Sequence, residues 1–147
     1  MPDQDLIGGL IETYRVLNNS VRTVPEERLA TRESGGSVRG LMRRMRDDEL
    51  RFSQALKERI TGVPMPDIFS AEELPTLGTE TEQDTTAMLI AQFGTAREST
   101  LAMLRDLPDA EWDGSVDGGK SIRARVIELL DNDRRQLASI TSILQPR

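Results

Sequence analysis

SIRARVIELLDNDRRQLASITSIL, residues 121–144, is the stretch that decides the fold. Ile122, Val126, Leu129, Leu130, Leu137, Ile140 and Leu144 recur at spacings of three and four, the period of one face of an α-helix. The spacing predicts a helix from near Ser121 to about Leu144. Its middle turns polar. In ELLDNDRRQLASI (128–140), Asn132 and Gln136 lie one turn apart, with Asp133 between them and Arg134 and Arg135 alongside. Side chains four residues apart project in the same direction from a helix, which is how a metal site would present two imidazoles. The chain has no histidine. The segment is therefore a vacated metal site, a polar site of another kind, or a wet helix face.

Three further segments carry the same period. From about Asp3 to Val21, Leu6, Leu10, Tyr14, Leu17 and Val21 form a stripe that Ile7 and Ile11 widen. Gly8 and Gly9 weaken this helix by up to ~1 kcal/mol each relative to alanine and are expected to permit a tight contact with a neighbour. Pro25 suits the first position of a short helical turn. A second long helix is predicted from Ser37, an N-cap, to about Thr61, with Gly62 as its stop. Its stripe of Val38, Leu41, Met42, Met45, Phe52, Leu56 and Ile60 is interrupted by Asp48 and Glu49. Residues 63–78, VPMPDIFSAEELPTLG, read as a long connection with a turn at SAEEL. A third long helix is predicted from about Glu80 to Leu107, with Leu89, Ile90, Phe93, Ala96, Leu101 and Leu104 inward. A turn-rich loop then holds Trp112, the only tryptophan, which is expected to plug one end of the core rather than to act as a lid. Met42, Met45, Met88 and Met103 read as core filler, and Tyr14 as a buried ring with a hydrogen-bonded hydroxyl.

Only GSVDGGKS departs from this helical pattern, with a brief alternation of period two. Four amphipathic helices without strands or repeats predict an all-α four-helix bundle, one domain over residues 1–147, with a long connection between the second and third long helices. Burial of four apolar stripes at ~25 cal/mol per Å² offsets chain entropy without needing a cofactor.

Composition removes several classes of function. Absence of cysteine excludes disulfides, thiolate nucleophiles and zinc–thiolate clusters. Absence of histidine removes the usual general base near neutral pH and the commonest zinc ligand, so catalysis would rest on Asp, Glu, Arg, Tyr or a hydroxyl. A net charge of −6 argues against nucleic acid, which needs a concentrated basic surface, and RRMR (43–46) is offset at once by DDE (47–49). Five aromatic residues (one Trp, one Tyr, three Phe) are too few for a base-stacking platform. No apolar run reaches the ~20 residues of a membrane span, and MPDQDLIGGL lacks the basic start of a signal peptide. A cytoplasmic location is expected.

GGSVRGLMRRMRDDELRF (35–52) and SIRARVIELLDNDRRQLASI (121–140) resemble the two signature helices of the DinB/YfiT superfamily. The resemblance spans nearly the whole chain in length and helix order, and DRRQLASI is its most specific part. It implies a four-helix bundle, a homodimer, and a divalent metal held by three histidines, one in the second helix and two a turn apart in the fourth. Laid on this chain, those ligand positions fall at Arg44, Asn132 and Gln136. All three are substituted. A guanidinium stays protonated and cannot ligate a cation, and the two carboxamides are weak neutral donors, so the resemblance here implies a degenerate site with no metal cofactor.

Asp48 lies one turn after Arg44 and Glu128 one turn before Asn132, so both carboxylates are expected near the same pocket, paired with Arg44. Arg44, Asp48, Glu128, Asn132 and Gln136 are then the candidate ligand-binding residues. They form either a satisfied polar patch or a site for a small anion, with Arg44 clamping a carboxylate or phosphate, or the pocket receives a partner protein. An oxygen-only metal site of Asp48, Glu49, Glu128 or Asp133 is the third reading, with Arg44 opposing it. The competing class, carried by the resemblance alone, is a thiol-dependent S-transferase or isomerase, or a metal-dependent hydrolase, of the same superfamily.

Overall fold

The computed structural model describes residues 3–32, 36–63, 85–116 and 119–145. Helix starts are written in hydroxyl side chains. Ser37, Thr85 and Ser121 sit in extended backbone and accept hydrogen bonds from the amides of Gly40 (2.9 Å), Met88 (3.2 Å) and Ala124 (3.0 Å). Each satisfies an amide that the first helical turn leaves without a partner. The elements are α1 (Asp3–Val21), α2 (Glu26–Ala30), α3 (Val38–Thr61), α4 (Thr86–Arg105), a 3-10 turn (Asp109–Asp113) and α5 (Ile122–Leu144). Gly62 ends α3 as expected: its φ of 71° is left-handed, and its amide donates to the Glu58 carbonyl at 2.8 Å. The third long helix is shorter than its periodicity suggests. Thr85 caps it there, and it ends at Arg105, not Leu107; residues 80–84, like most of the connection over 63–78, lie outside the described residues. The period-two stretch forms only an isolated antiparallel bridge between Ser115 and Ser121.

The chain is all-α and bundle-like. The principal contacts run α3–α4, α1–α5, α3–α5 and α1–α4, so each long helix packs on two others. Two apolar clusters result. Leu6, Leu10, Phe52, Leu104, Trp112 and Val126 belong to one, and Leu17, Met42, Leu89, Phe93 and Ile140 to the other. Each long helix also contributes a buried polar residue to a shared layer: Thr13 from α1, Glu49 from α3, Arg97 from α4 and Asp133 from α5.

Close approach of α1 and α5 depends on Gly9, where a Cβ would lie 2.8 Å from Leu130 Cδ2; Gly8 faces open space and has no such role. Tyr14 is half-buried against Phe93, with ring centroids 5.8 Å apart, and its hydroxyl lies so near Gly94 that a Cβ there would sit 2.5 Å from it. Four stripe expectations are corrected. Ile11, Ile60 and Met88 are exposed, because each lies at the edge of its helix's inner face, and Tyr14 makes no hydrogen bond through its hydroxyl among the described residues.

Short α2 fastens two helix ends. The Glu26 carboxylate accepts from the Thr86 amide (3.0 and 3.1 Å) and hydroxyl (3.2 Å), placing negative charge at the α4 N-terminus. Arg28 donates to the Ile143 carbonyl near the end of α5. At the opposite end Arg123 joins Asp3 (2.8 and 3.1 Å) and Asp113, tying α1 and the 3-10 turn to α5. No helix among the described residues is long and apolar enough to cross a membrane.

Candidate functional site

Positions 48 and 51 of α3, and 125, 128, 132 and 135 of α5, recur at three- and four-residue spacing, so each set shares a helix face. Where those faces meet lies a cavity of about 440 Å³, lined by Asp48, Arg51, Arg125, Glu128, Leu129, Asp131, Asn132 and Arg135. Three of the five candidate residues thus converge: Asp48, Glu128 and Asn132. The other two do not line it. Arg44 is exposed, and Gln136 is only partly buried. Positions 44 and 136 share those faces but lie one turn before Asp48 and one turn after Asn132, beyond the lining, whereas Arg51, Arg125 and Arg135, which the sequence reading did not assign to the site, line it.

The charges divide into engaged and unengaged. Glu128 accepts from Lys120 Nζ at 2.6 Å and Arg125 Nη1 at 2.9 Å. Those partners, Lys120 foremost, hold its carboxyl below the ordinary glutamate range. The expected pairing of Glu128 with Arg44 is therefore replaced by these two cations. Arg125 also lies over the Phe52 ring, 5.8 Å from its centroid, which fixes the stem against the core. Asp48 differs. Among the described residues it has no hydrogen bond or ion pair, and burial pushes its carboxyl above the ordinary range. The fields of Arg51, Arg44 and Arg125 oppose that rise, and Asp47 reinforces it.

A stability prediction follows from the sign of this shift. The folded carboxyl of Asp48 binds its proton more tightly than the unfolded one, so folding is unburdened below the unfolded value. As pH rises from that value through the folded one, the cost of an ionised, half-buried carboxylate develops and then persists. Asp48→Asn is expected to raise the thermal midpoint at pH 7, with the gain shrinking towards pH 3. Melting curves of both proteins across that range check it; a lower midpoint at pH 7 would mean that the arginine fields outweigh burial.

The second polar site is that shared layer. Arg97, 1% exposed, reaches from α4 into the centre. Its Nη2 donates to Glu49 Oε1 (2.8 Å) and Asp133 Oδ2 (2.9 Å), and its Nη1 to the Leu10 carbonyl (2.7 Å) and Thr13 Oγ1 (3.4 Å). Thr13 in turn donates to Asp133 Oδ2 at 2.6 Å. Burial discourages the charge of Arg97, but Glu49 and Asp133 outweigh it and hold the guanidinium above its ordinary pKa. All four long helices meet at one cation. The signal was in the sequence: Arg97 falls on the inner stripe Phe93, Arg97, Thr100, Leu104, and Thr13 on Leu6, Leu10, Thr13, Leu17.

This arrangement splits the carboxylates of the oxygen-only metal reading. Glu49 and Asp133 are committed to Arg97, while Asp48 and Glu128 belong to the cavity. Among the described residues no group of three or more Asp, Glu, His or Cys is placed to hold a metal ion. The donors at 44, 132 and 136 do not fit one either, since a fixed positive charge and two carboxamides offer no anionic ligand. Compared with known protein families, with curated proteins and with solved structures, the chain matches none.

Proposed function

We propose that this chain is a DinB-like four-helix bundle that binds a small anionic molecule, a carboxylate or phosphate, in the α3–α5 cavity and does so without a metal. The carrying observation is the charge balance of that cavity. Arg51, Arg125 and Arg135 line it. Lys120 neutralises Glu128 from outside, and the field of Arg44 reaches Asp48. Among the described residues that line the cavity, three arginines thus stand with three carboxylates, Asp48, Glu128 and Asp131, and Lys120 takes up part of the Glu128 charge from outside. Guanidinium forks bind carboxylate and phosphate oxygens in pairs, and Asn132 supplies both a donor and an acceptor beside them. Binding is the role these groups suit, because among the described residues neither a nucleophile nor a base with a positioned partner lines the cavity.

Calorimetric titration with acetate, succinate, citrate and phosphate tests the reading. Arg135 is exposed and has no ion pair among the described residues, so Arg135→Ala leaves the bundle intact. A charge-assisted hydrogen bond contributes ~1.5–3 kcal/mol, hence this variant is expected to weaken binding about tenfold or more. Binding should also fall with added salt, since the cleft is open to solvent. If no anion binds the wild-type protein, or if Arg135→Ala together with Arg125→Ala leaves affinity unchanged, the proposal is wrong.

A further inference from the structure

We infer that the ligand of the α3–α5 cavity is a zwitterion, a small amino acid whose carboxylate meets Arg135 and Arg125 on α5 and whose ammonium meets Asp48 on α3. This rests on the cavity being the binding site, as proposed above, and goes further by naming the second charge of the ligand.

Two oppositely charged groups on facing helices have no partner among the described residues. Asp48 and Arg135 line the same cavity, one on α3 and one on α5, and neither has a hydrogen bond or ion pair among the described residues. Other charges there are in use: Glu128 is bonded to Lys120 and Arg125, and Asp131 is exposed to water. Asp48 is only partly exposed, and burial already disfavours its charge. A purely anionic ligand seated against Arg135 would strip more water from Asp48 and set a like charge beside it, and like charges in a dehydrated cleft repel by several-fold more than in bulk water. A purely cationic ligand would face Arg51, Arg125 and Arg135. An ammonium paired with a carboxylate relieves both problems at once. Its three donors match the Asp48 carboxylate and the Asn132 carboxamide oxygen, groups for which no partner exists among the described residues. A cavity of about 440 Å³ suits a molecule of this size.

The probes are glycine, β-alanine, 4-aminobutyrate and 6-aminohexanoate, which step the distance between the two charges, each beside its N-acetyl acid and its carboxamide. Titration of the full chain is followed by calorimetry, with wild type and Asp48→Asn in parallel. At least one free amino acid is expected to bind tenfold or more tightly than both of its blocked forms. In Asp48→Asn the preference over the N-acetyl acid should vanish, while the melting curve shows the variant folded. If N-acetyl acids or simple carboxylates bind as well as every free amino acid, the zwitterion inference falls and the anion-binding reading stands. Retention of the full preference in Asp48→Asn also overturns it. If none of these probes binds, and no simple carboxylate or phosphate binds either, both readings fall together.

Discussion

Arg97→Met is expected to cost about 3–5 kcal/mol of stability, the range for removing one partner from a buried ion pair. Against a total of ~5–15 kcal/mol for a folded domain, such a loss lowers the melting temperature drastically or leaves no cooperative transition. Methionine fills much of the volume, so packing is not the chief casualty. What remains is Glu49, fully buried, and Asp133, 2% exposed, facing each other with no cation. The Leu10 carbonyl loses the 2.7 Å bond from Arg97, and Thr13 is left holding Asp133 alone. Denaturant unfolding followed by circular dichroism measures the change. The mechanism makes a second demand: a variant that also carries Glu49→Leu and Asp133→Leu should recover most of the loss, because an apolar layer of similar volume is often as stable as the buried ion pair it replaces. A single-variant loss below ~1 kcal/mol would show that the carboxylates find other means of solvation and that the layer does not depend on its one cation.

Trp112→Ala is expected to cost about 3–5 kcal/mol through the cavity it leaves. Trp112 is 2% exposed and belongs to the apolar cluster of Leu6, Leu10, Phe52, Leu104 and Val126. It stands in the 3-10 turn that follows Pro108, which positions the ring over the end of the core between α4 and α5. That cluster draws on α1, α3, α4 and α5, so filling the space the ring leaves would disturb packing shared by all four helices. Trp112→Phe keeps most of the apolar area and should lose much less. Since this is the only tryptophan, wild-type unfolding is readable by its fluorescence and the variants by circular dichroism. A wild-type-like midpoint for Trp112→Ala would mean that the ring covers the core end without being part of it.

Helix identity and most inner-face residues were legible because the long helices carry a local code. Ser37 and Ser121 were read as helix starts and Gly62 as the α3 stop, whereas the Thr85 cap of α4 was passed over for a start near Glu80; in all four helices apolar residues return every three or four positions. Where the reading slipped, the local code was incomplete. Ile11, Ile60 and Met88 are apolar but lie at the flank of a stripe, where exposure depends on whether another helix happens to reach that far. Asp48 and Glu49 were recognised as a break in the α3 stripe, yet adjacent residues on a helix point about 100° apart. That rotation sends Glu49 to the centre and Asp48 to the cavity.

By itself, then, the order of residues determined an all-α chain, the ends of three of its four long helices, most of the stripes that meet in its interior, and the absence of thiol and imidazole chemistry. All of these are set within a few turns of helix, by caps, periodicity and composition. Only the tertiary structure decided which charges meet. Arg97 is 48 residues from Glu49 and 36 from Asp133, and nothing local to any of the three names the others. The same holds for the cavity, where Arg51, Arg125 and Arg135 take the place expected for Arg44 and Gln136. A pairing between helices is fixed by their relative rotation and axial offset, and those follow from packing the whole core at once.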